Sequence, residues 1–294
     1  MSVALAMHPT WGRRLQRRAA AARGFVAACQ LATLTGLAFL GFLLADVAQD
    51  ARLSLGPHLV TAYPSRFPAQ AGYASALAGT VLVIGLMAFL AFPVGVAAAV
   101  YLAEYAPAGR LTAALQVNIA NLAAVPSVLY GLLGLGVFVE ALRMGKSVLA
   151  GACTLALLVL PLTILATREA LDGVPRSIRE AAYALGATRW QVVRHQVLPA
   201  AAPGIFTGVI LALSRAVGET APLIMLGALQ YVPFLPRGLG DYFTVLPIQI
   251  FNYVSLPQPA FHRVAAAGIV LLLTVLLGLN GTAIWLRNRW QVRW

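Results

Sequence analysis

Apolar residues run almost unbroken through six stretches of the chain, at roughly 24–45, 74–103, 111–139, 147–167, 200–229 and 264–286. Each meets or exceeds the ~20 residues that an α-helix needs to cross the hydrocarbon core of a bilayer. The pattern predicts an all-α, polytopic membrane protein with six transmembrane helices. It divides the chain into a basic N-terminal segment over 1–23, a first span with its following loop over 24–73, a core over 74–286 interrupted by a polar loop at 168–199, and a short tail over 287–294. Two long loops, at about 46–73 and 230–263, are rich in Pro, Gly and aromatic residues, which predicts compact caps or short interfacial helices rather than disorder.

Composition excludes a water-soluble fold. The 294 residues are 60% hydrophobic and only 10% charged, whereas an ordinary soluble domain carries about 25% charged residues. The net charge of +12 would suggest nucleic acid in a soluble protein, but here it has to be read by position, because Lys and Arg accumulate in the short cytoplasmic loops of membrane proteins. Arg13, Arg14, Arg17, Arg18 and Arg23 precede the first span. Arg110 lies in the 104–110 loop, Arg168, Arg176, Arg179, Arg189 and Arg194 in the 168–199 loop, and Arg287, Arg289 and Arg293 at the C-terminus. The alternate loops hold only Arg52, Arg66, Arg143, Lys146, Arg237 and Arg263. The bias predicts cytoplasmic termini and a cytoplasmic 168–199 loop, with the 46–73 and 230–263 loops outside. The first span follows a basic stretch as a signal peptide would, but it is longer than a typical apolar core of about 7–15 residues and has no A-x-A-like exit, so it reads as a retained anchor.

Enzyme signatures are absent. Gly145-Lys146-Ser147 ends like a phosphate-binding loop, but Glu140 stands where the first glycine would be and no strand precedes it, so no ATP site is expected on this chain. His8, His58, His195 and His262 are scattered without ligand spacing, and Cys29 and Cys153 sit in apolar runs as packing residues, so neither a metal nor a cofactor is expected. Asn280-Gly281-Thr282 matches the glycosylation triplet but lies inside the last span.

Three features go beyond anchoring. The third span carries Gln116, Asn118 and Asn121, then Pro126-Ser127, then Gly131, Gly134 and Gly136. Close helix packing accounts for such residues, and so does a kinked, pore-lining helix whose freed carbonyls find new partners. The fifth span contains Arg215 and Glu219 at i, i+4, where they can meet as an ion pair. A charge near mid-membrane costs at least ~2.5–3.5 kcal/mol on insertion scales, so the pair is either a staple between helices or part of a path for an oxyanion, which a guanidinium's fixed fork of donors suits. In the 168–199 loop, residues 176–187 read as a short amphipathic helix closed by Gly186, followed by a second helical stretch over 188–197. Its Ala181, Ala182 and Leu185 form a small apolar ridge that only a partner protein can cover.

The spacing Glu180-Ala181-Ala182, then Gly186, then Leu198-Pro199 resembles the EAA motif of permease subunits in bacterial ATP-binding-cassette importers, with Gln196 departing from the usual aliphatic residue. The runs Tyr101-Leu102-Ala103-Glu104-Tyr105-Ala106-Pro107, Val125-Pro126-Ser127-Val128-Leu129-Tyr130-Gly131-Leu132 and Ser214 to Leu223 resemble the PstA-type permeases of the phosphate importer, over about residues 74–230. That resemblance implies a type I importer permease fold in the bacterial inner membrane. It implies a homologous second permease as partner, two cytoplasmic ATP-binding subunits and an extracytoplasmic phosphate-binding protein. The ATPase-coupling residues are then Arg179, Glu180, Ala181, Ala182, Leu185, Gly186 and Ala187, and the substrate path is lined by Arg215, Glu219, Thr220, Ser127 and Asn121. An importer for another oxyanion or solute, a secondary transporter driven by an ion gradient, and a membrane scaffold are the competing readings; only the importers have a use for a docking ridge at 176–187.

Overall fold

In the computed structural model, which describes residues 9–228 and 231–289, the elements are helices joined by turns. The chain divides into two units, one ending at Asp50 and one from Ala51 onward. The first is helix α1 (Pro9–Ala51). It extends well beyond the 24–45 expected for the first span, and the basic stretch before that span is the beginning of the same helix. The side chains of Phe25, Leu31, Leu34 and Phe39 along it are exposed.

The second unit is built on α2 (Ala74–Tyr105), α5 (Val148–Asp172), α7 (Arg189–Gly218) and α10 (Pro259–Arg289), each long and apolar enough to cross a membrane. The third predicted span is different. It forms two helices, α3 (Arg110–Ala123) and α4 (Ser127–Ala141), bent by 99° at Ala124-Val125-Pro126. Among the described residues five helices therefore qualify as spans, and the count of six holds only with this bent pair taken as one. Pro126 is the immediate cause, because it has no N–H to continue α3 and its backbone is extended (ψ 134°) before α4 restarts. Tyr130 Oη donates to the Leu122 carbonyl at 2.9 Å, adding to the bond that this carbonyl accepts from Val125 N (3.1 Å) where α3 ends.

The fifth span also departs from its expected 200–229 limits. Residues 189–197 open α7 rather than forming a separate helix, and α7 stops at Gly218. After an extended Glu219 the chain forms α8 (Ala221–Leu226), which ends at Gly227 in the left-handed conformation (φ 86°). Between α5 and α7 lies the short α6 (Arg176–Ala184), and α9 (Leu246–Val254) sits in the 230–263 loop. The long loops are compact, as their composition suggests, and the segment 51–73 belongs with the second unit rather than with the first span.

Small residues set the helix approaches. A Cβ on Gly204 or Gly208 would lie 2.7 or 2.5 Å from the Cβ atoms of Ala170 and Ala166, so α7 meets α5 through a small-xxx-small face. A Cβ on Gly95 would lie 2.7 Å from Thr163 Cγ2, which brings α2 into close contact with α5 as well. At one end of this bundle the loops are pinned by buried tyrosines: Tyr73 donates to the Val264 carbonyl (3.0 Å) and Tyr253 to that of Gly72 (3.1 Å), with the two rings edge to face. The other end carries the helical elbow formed by α6 and the start of α7.

Candidate functional sites at a double helix break and a helical elbow

The two broken spans meet. Gly131 in α4 is so close to α8 that a Cβ there would lie 2.6 Å from the Pro222 carbonyl oxygen and 2.7 Å from Pro222 Cα. Gly134, one turn on, would bring a Cβ within 2.2 Å of Thr154 Oγ1 in α5. The glycine face of α4 is thus wedged between α8 and α5, with backbone against backbone on one side. Gly131 and Gly134 serve close packing, Gly136 meets nothing within 4 Å, and Pro126 supplies the kink of the other reading.

Arg215 stands in the last turn of α7, and its Nε donates to Glu219 Oε1 at 3.1 Å. The pair predicted from the i, i+4 spacing forms, but Glu219 lies one residue past the helix. The arginine side chain is 47% exposed and the glutamate 16%, so this chain alone does not bury the charge. Thr220 is half-buried, with its hydroxyl 3.4 Å from the Gly218 carbonyl. Ser127 is half-buried at the start of α4 and Asn121 is exposed near the end of α3. Among the described residues, no hydrogen bond joins Asn121 or Ser127 to the Arg215–Glu219 pair.

The elbow is more tightly specified. Helix α6 closes with the N–H of Gly186 on the Tyr183 carbonyl (2.9 Å) and that of Ala187 on the Ala182 carbonyl (3.2 Å), the paired bonds of a Schellman motif. Gly186 takes the left-handed conformation (φ 81°) that this closure requires. Thr188 then caps α7, accepting from Gln191 N while the Gln191 side chain accepts from Thr188 N. Leu185 is left at the apex, 90% exposed.

The ridge is not quite the predicted one. Ala181, Glu180 and Gly186 are exposed with Leu185, but Ala182 and Ala187 turn inward. They pack on a cluster formed by Ala99 and Val100 of α2, Leu171 of α5, and Val192, Val193 and Val197 of α7. Exposed Tyr183 and Trp190 extend the apolar surface instead.

Arg179 also turns inward. Its Nε and Nη2 donate to Glu104 Oε1 at 3.2 and 2.8 Å, Nη1 donates to the Val174 carbonyl at 2.7 Å, and Nη2 also reaches the Leu171 carbonyl at 3.0 Å. Glu104, which lies in a π-helical turn closing α2, is 8% exposed. Its neighbour Tyr105 takes the Arg189 guanidinium over its ring, 5.1 Å from the centroid. Neither contact was identified from the sequence, although Glu104 and Tyr105 stand in one of the quoted runs. Among the described residues, no group of three or more His, Cys, Asp and Glu is placed to hold a metal ion.

Residues 91–284 match the family model described as "Binding-protein-dependent transport system inner membrane component". Among curated proteins, the chain is 37% identical over 205 residues to the phosphate transport system permease protein PstA 1 of Mycobacterium tuberculosis (strain CDC 1551 / Oshkosh), covering 69% of this chain and 67% of that one. It is 36% identical over 215 residues to the phosphate transport system permease protein PstA of Haemophilus influenzae, covering 72% and 74%. It is 30% identical over 275 residues to the probable ABC transporter permease protein YqgI of Bacillus subtilis (strain 168), covering 90% and 92%. In fold it is similar to a chain of the bacterial alginate ABC transporter (TM-score 0.67, 17% identity, 92% of this chain and 96% of that one). It is likewise similar to a chain of the MetNI methionine ABC transporter (TM-score 0.62, 20% identity, 73% and 94%). The helical bundle, its elbow and the matched 194 residues lead to one assignment: the chain belongs to the binding-protein-dependent transport system inner membrane components, with the fold of a type I ABC importer permease.

Proposed function

We propose that this chain is the permease subunit of an ATP-driven importer of inorganic phosphate, forming half of an alternating-access path with a homologous second permease. Both termini and the α6 elbow face the cytoplasm in this reading, as the distribution of arginines suggests. One of two ATP-binding subunits docks on the elbow through Leu185, Ala181 and Tyr183, the other on the second permease, and an extracytoplasmic phosphate-binding protein delivers substrate to the end that carries the 46–73 and 230–263 loops. No covalent chemistry occurs on the chain. It converts movement at the elbow into opening and closing of the spans.

The observation that carries the substrate reading is the Arg215–Glu219 pair at the break between α7 and α8. Only Nε is engaged by Glu219, so the guanidinium keeps donors for an oxyanion while the carboxylate limits how tightly that anion is held. Transit needs contact that is favourable and brief. The relatives named for phosphate transport support phosphate over other anions.

The test is to co-isolate the complex, reconstitute it in vesicles and measure ATP hydrolysis and radiolabelled phosphate uptake with the binding protein present. Phosphate should stimulate both, and a large excess of sulfate should suppress neither. Equal competition by sulfate would transfer the assignment to a general oxyanion importer. Uptake that follows an ion gradient with no ATPase subunit in the complex would end the importer reading.

A further inference from the structure

We infer that Arg179 and Glu104 act as a clamp that makes α2 move with the coupling helix, so that the push of the ATPase subunits reaches a span to which α6 is not joined in sequence. The inference rests on the proposed docking of ATPase subunits at α6 and adds the route by which their movement leaves it.

By chain connectivity alone, a load on the elbow reaches α5 and α7, the helices on either side of α6. Contact with α2 through Ala99 and Val100 is apolar, and apolar contacts are non-directional, so two surfaces held only in that way can slide. Arg179 changes this. Four of its N–H donors are spent on three acceptor groups, the Glu104 carboxylate in α2 and the carbonyls of Leu171 and Val174 at the end of α5. A planar guanidinium bonded on several sides fixes direction as well as distance. One side chain of α6 therefore ties together α2, α5 and α6. Glu104 is 8% exposed, which leaves little water to replace the arginine if the contact opens. A parted pair strands a charge, and the clamp resists opening for that reason.

The adjacent residue doubles the attachment. Tyr105 holds Arg189, the first residue of α7, so consecutive side chains of α2 grip both limbs of the elbow, α6 through Glu104 and α7 through Tyr105. The π-helical turn over Tyr101–Tyr105 supplies this end of α2. An extra residue in a helical turn shifts the facing of side chains beyond it, a device found at functional positions in helices. Arg179 and Glu104 act through the helices they join. They are positioning residues.

The experiment uses the whole complex in vesicles and compares Glu104→Gln and Arg179→Lys with the native chain, measuring complex yield, ATP hydrolysis and phosphate uptake in the same preparation. The expected result is normal retention of the ATPase subunits and continued ATP hydrolysis, with uptake lowered about tenfold or more, so that ATP consumed per phosphate rises. A merely structural role lowers yield, hydrolysis and uptake in proportion and leaves that ratio unchanged; this outcome, or unchanged uptake, would overturn the clamp.

Because either single change can impair folding, a second set uses Glu104→Cys with Arg179→Cys in a background with Cys29 and Cys153 replaced by alanine. Uptake should be low in the reduced protein and recover when a short bifunctional thiol reagent joins the two positions. Cross-linking that occurs without recovery, or that blocks uptake further, means that α2 and α6 have to separate during transport and sinks the proposal. The docking reading fails separately, if Leu185→Glu leaves the ATPase subunits bound and uptake intact.

Discussion

Glu219 meets Arg215 from one residue beyond the end of α7, with its backbone already extended, so the ion pair spans a helix terminus instead of lying along a helix face. A pair along one helix moves as a unit with that helix. A pair across a break links the helix to whatever follows, here α8, and any change in the break is felt by the charge.

Exchanging both charges for amides separates a staple from a path. Arg215→Gln or Glu219→Gln alone leaves the other charge unpaired and should lower complex yield and uptake together. The double variant removes both charges and keeps hydrogen-bonding capacity, so assembly should return while phosphate uptake stays lost. Recovered uptake in the double variant would show that Arg215 does not act on substrate.

The contact between the broken spans predicts a sharp difference between two glycines of α4. Gly131→Ala places a methyl carbon 2.6 Å from the Pro222 carbonyl oxygen, and overpacking of this kind typically costs about 1–3 kcal/mol. Gly136→Ala meets nothing within 4 Å and should be neutral, or slightly stabilising because alanine favours a helix. Thermal unfolding of the two variants in detergent provides the comparison; equal midpoints would mean that α4 and α8 are not held at this separation.

Membrane class and the elbow were legible because each leaves a mark on the sequence: long apolar runs in the first case, Gly186 after an amphipathic turn in the second. The breaks were legible only in part, the kink at Pro126 standing as one of two readings of the third span. Pro93, Pro161 and Pro203 lie inside α2, α5 and α7 without ending them, so Pro126 is no clearer a signal than they are until Gly131 is seen against Pro222. Hydropathy is equally blind to the end of α7 at Gly218, since the residues of α8 remain apolar. Arg179 reads only as a coupling residue in the sequence because its partner lies 75 positions away, and a short helix with arginines gives no sign of which of them turns inward. The periodicity that singled out Ala181, Ala182 and Leu185 has the same limit, as Ala182 faces the cluster beneath.

That difference within α6 is itself testable. Leu185→Glu adds a charge to an apex that is 90% exposed, so the isolated subunit should keep its stability and lose the ATPase subunits. Ala182→Glu forces a carboxylate into the apolar cluster and should destabilise the subunit by itself, by about 1–3 kcal/mol or more if no partner is found. Measuring thermal stability without the ATPase and retention of the ATPase on co-isolation distinguishes the two; a loss of stability from Leu185→Glu would contradict the exposed apex.

In the 230–263 loop, the Asp241 carboxylate accepts the backbone N–H groups of Arg237 (2.7 Å) and Gly238 (2.9 Å). These bonds hold its pKa below the usual value, since they favour the charged form. A depressed carboxylate stabilises the folded loop above its ordinary pKa, and the contribution disappears as pH falls through the folded value. The loop's backbone also accepts the N–H groups of Val148 and Leu149 at the start of α5, from the carbonyls of Asp241 and Leu239. Asp241→Asn should therefore increase protease cleavage in this loop at neutral pH, and the difference from the native chain should vanish well below the carboxylate range. A difference that persists in acid would assign the effect to something other than the charge.

Orientation is tested by labelling. The basic loops and the elbow are assigned to the cytoplasm from the arginine distribution, and the structure offers exposed positions at both ends of the bundle: Arg66 and Leu239 in the two long loops, Leu185 at the elbow. Starting from a chain with Cys29 and Cys153 replaced by alanine, single cysteines at 66 and 239 should react with an impermeant thiol reagent in cells whose outer barrier has been opened but whose inner membrane is intact. A cysteine at 185 should react only after that membrane is permeabilised. If an ATPase subunit covers the apex, reaction at 185 should be slow even then and should accelerate when the ATPase is absent. Labelling at 185 in sealed cells would reverse the orientation and move the docking surface away from the cellular ATP on which the proposed mechanism depends.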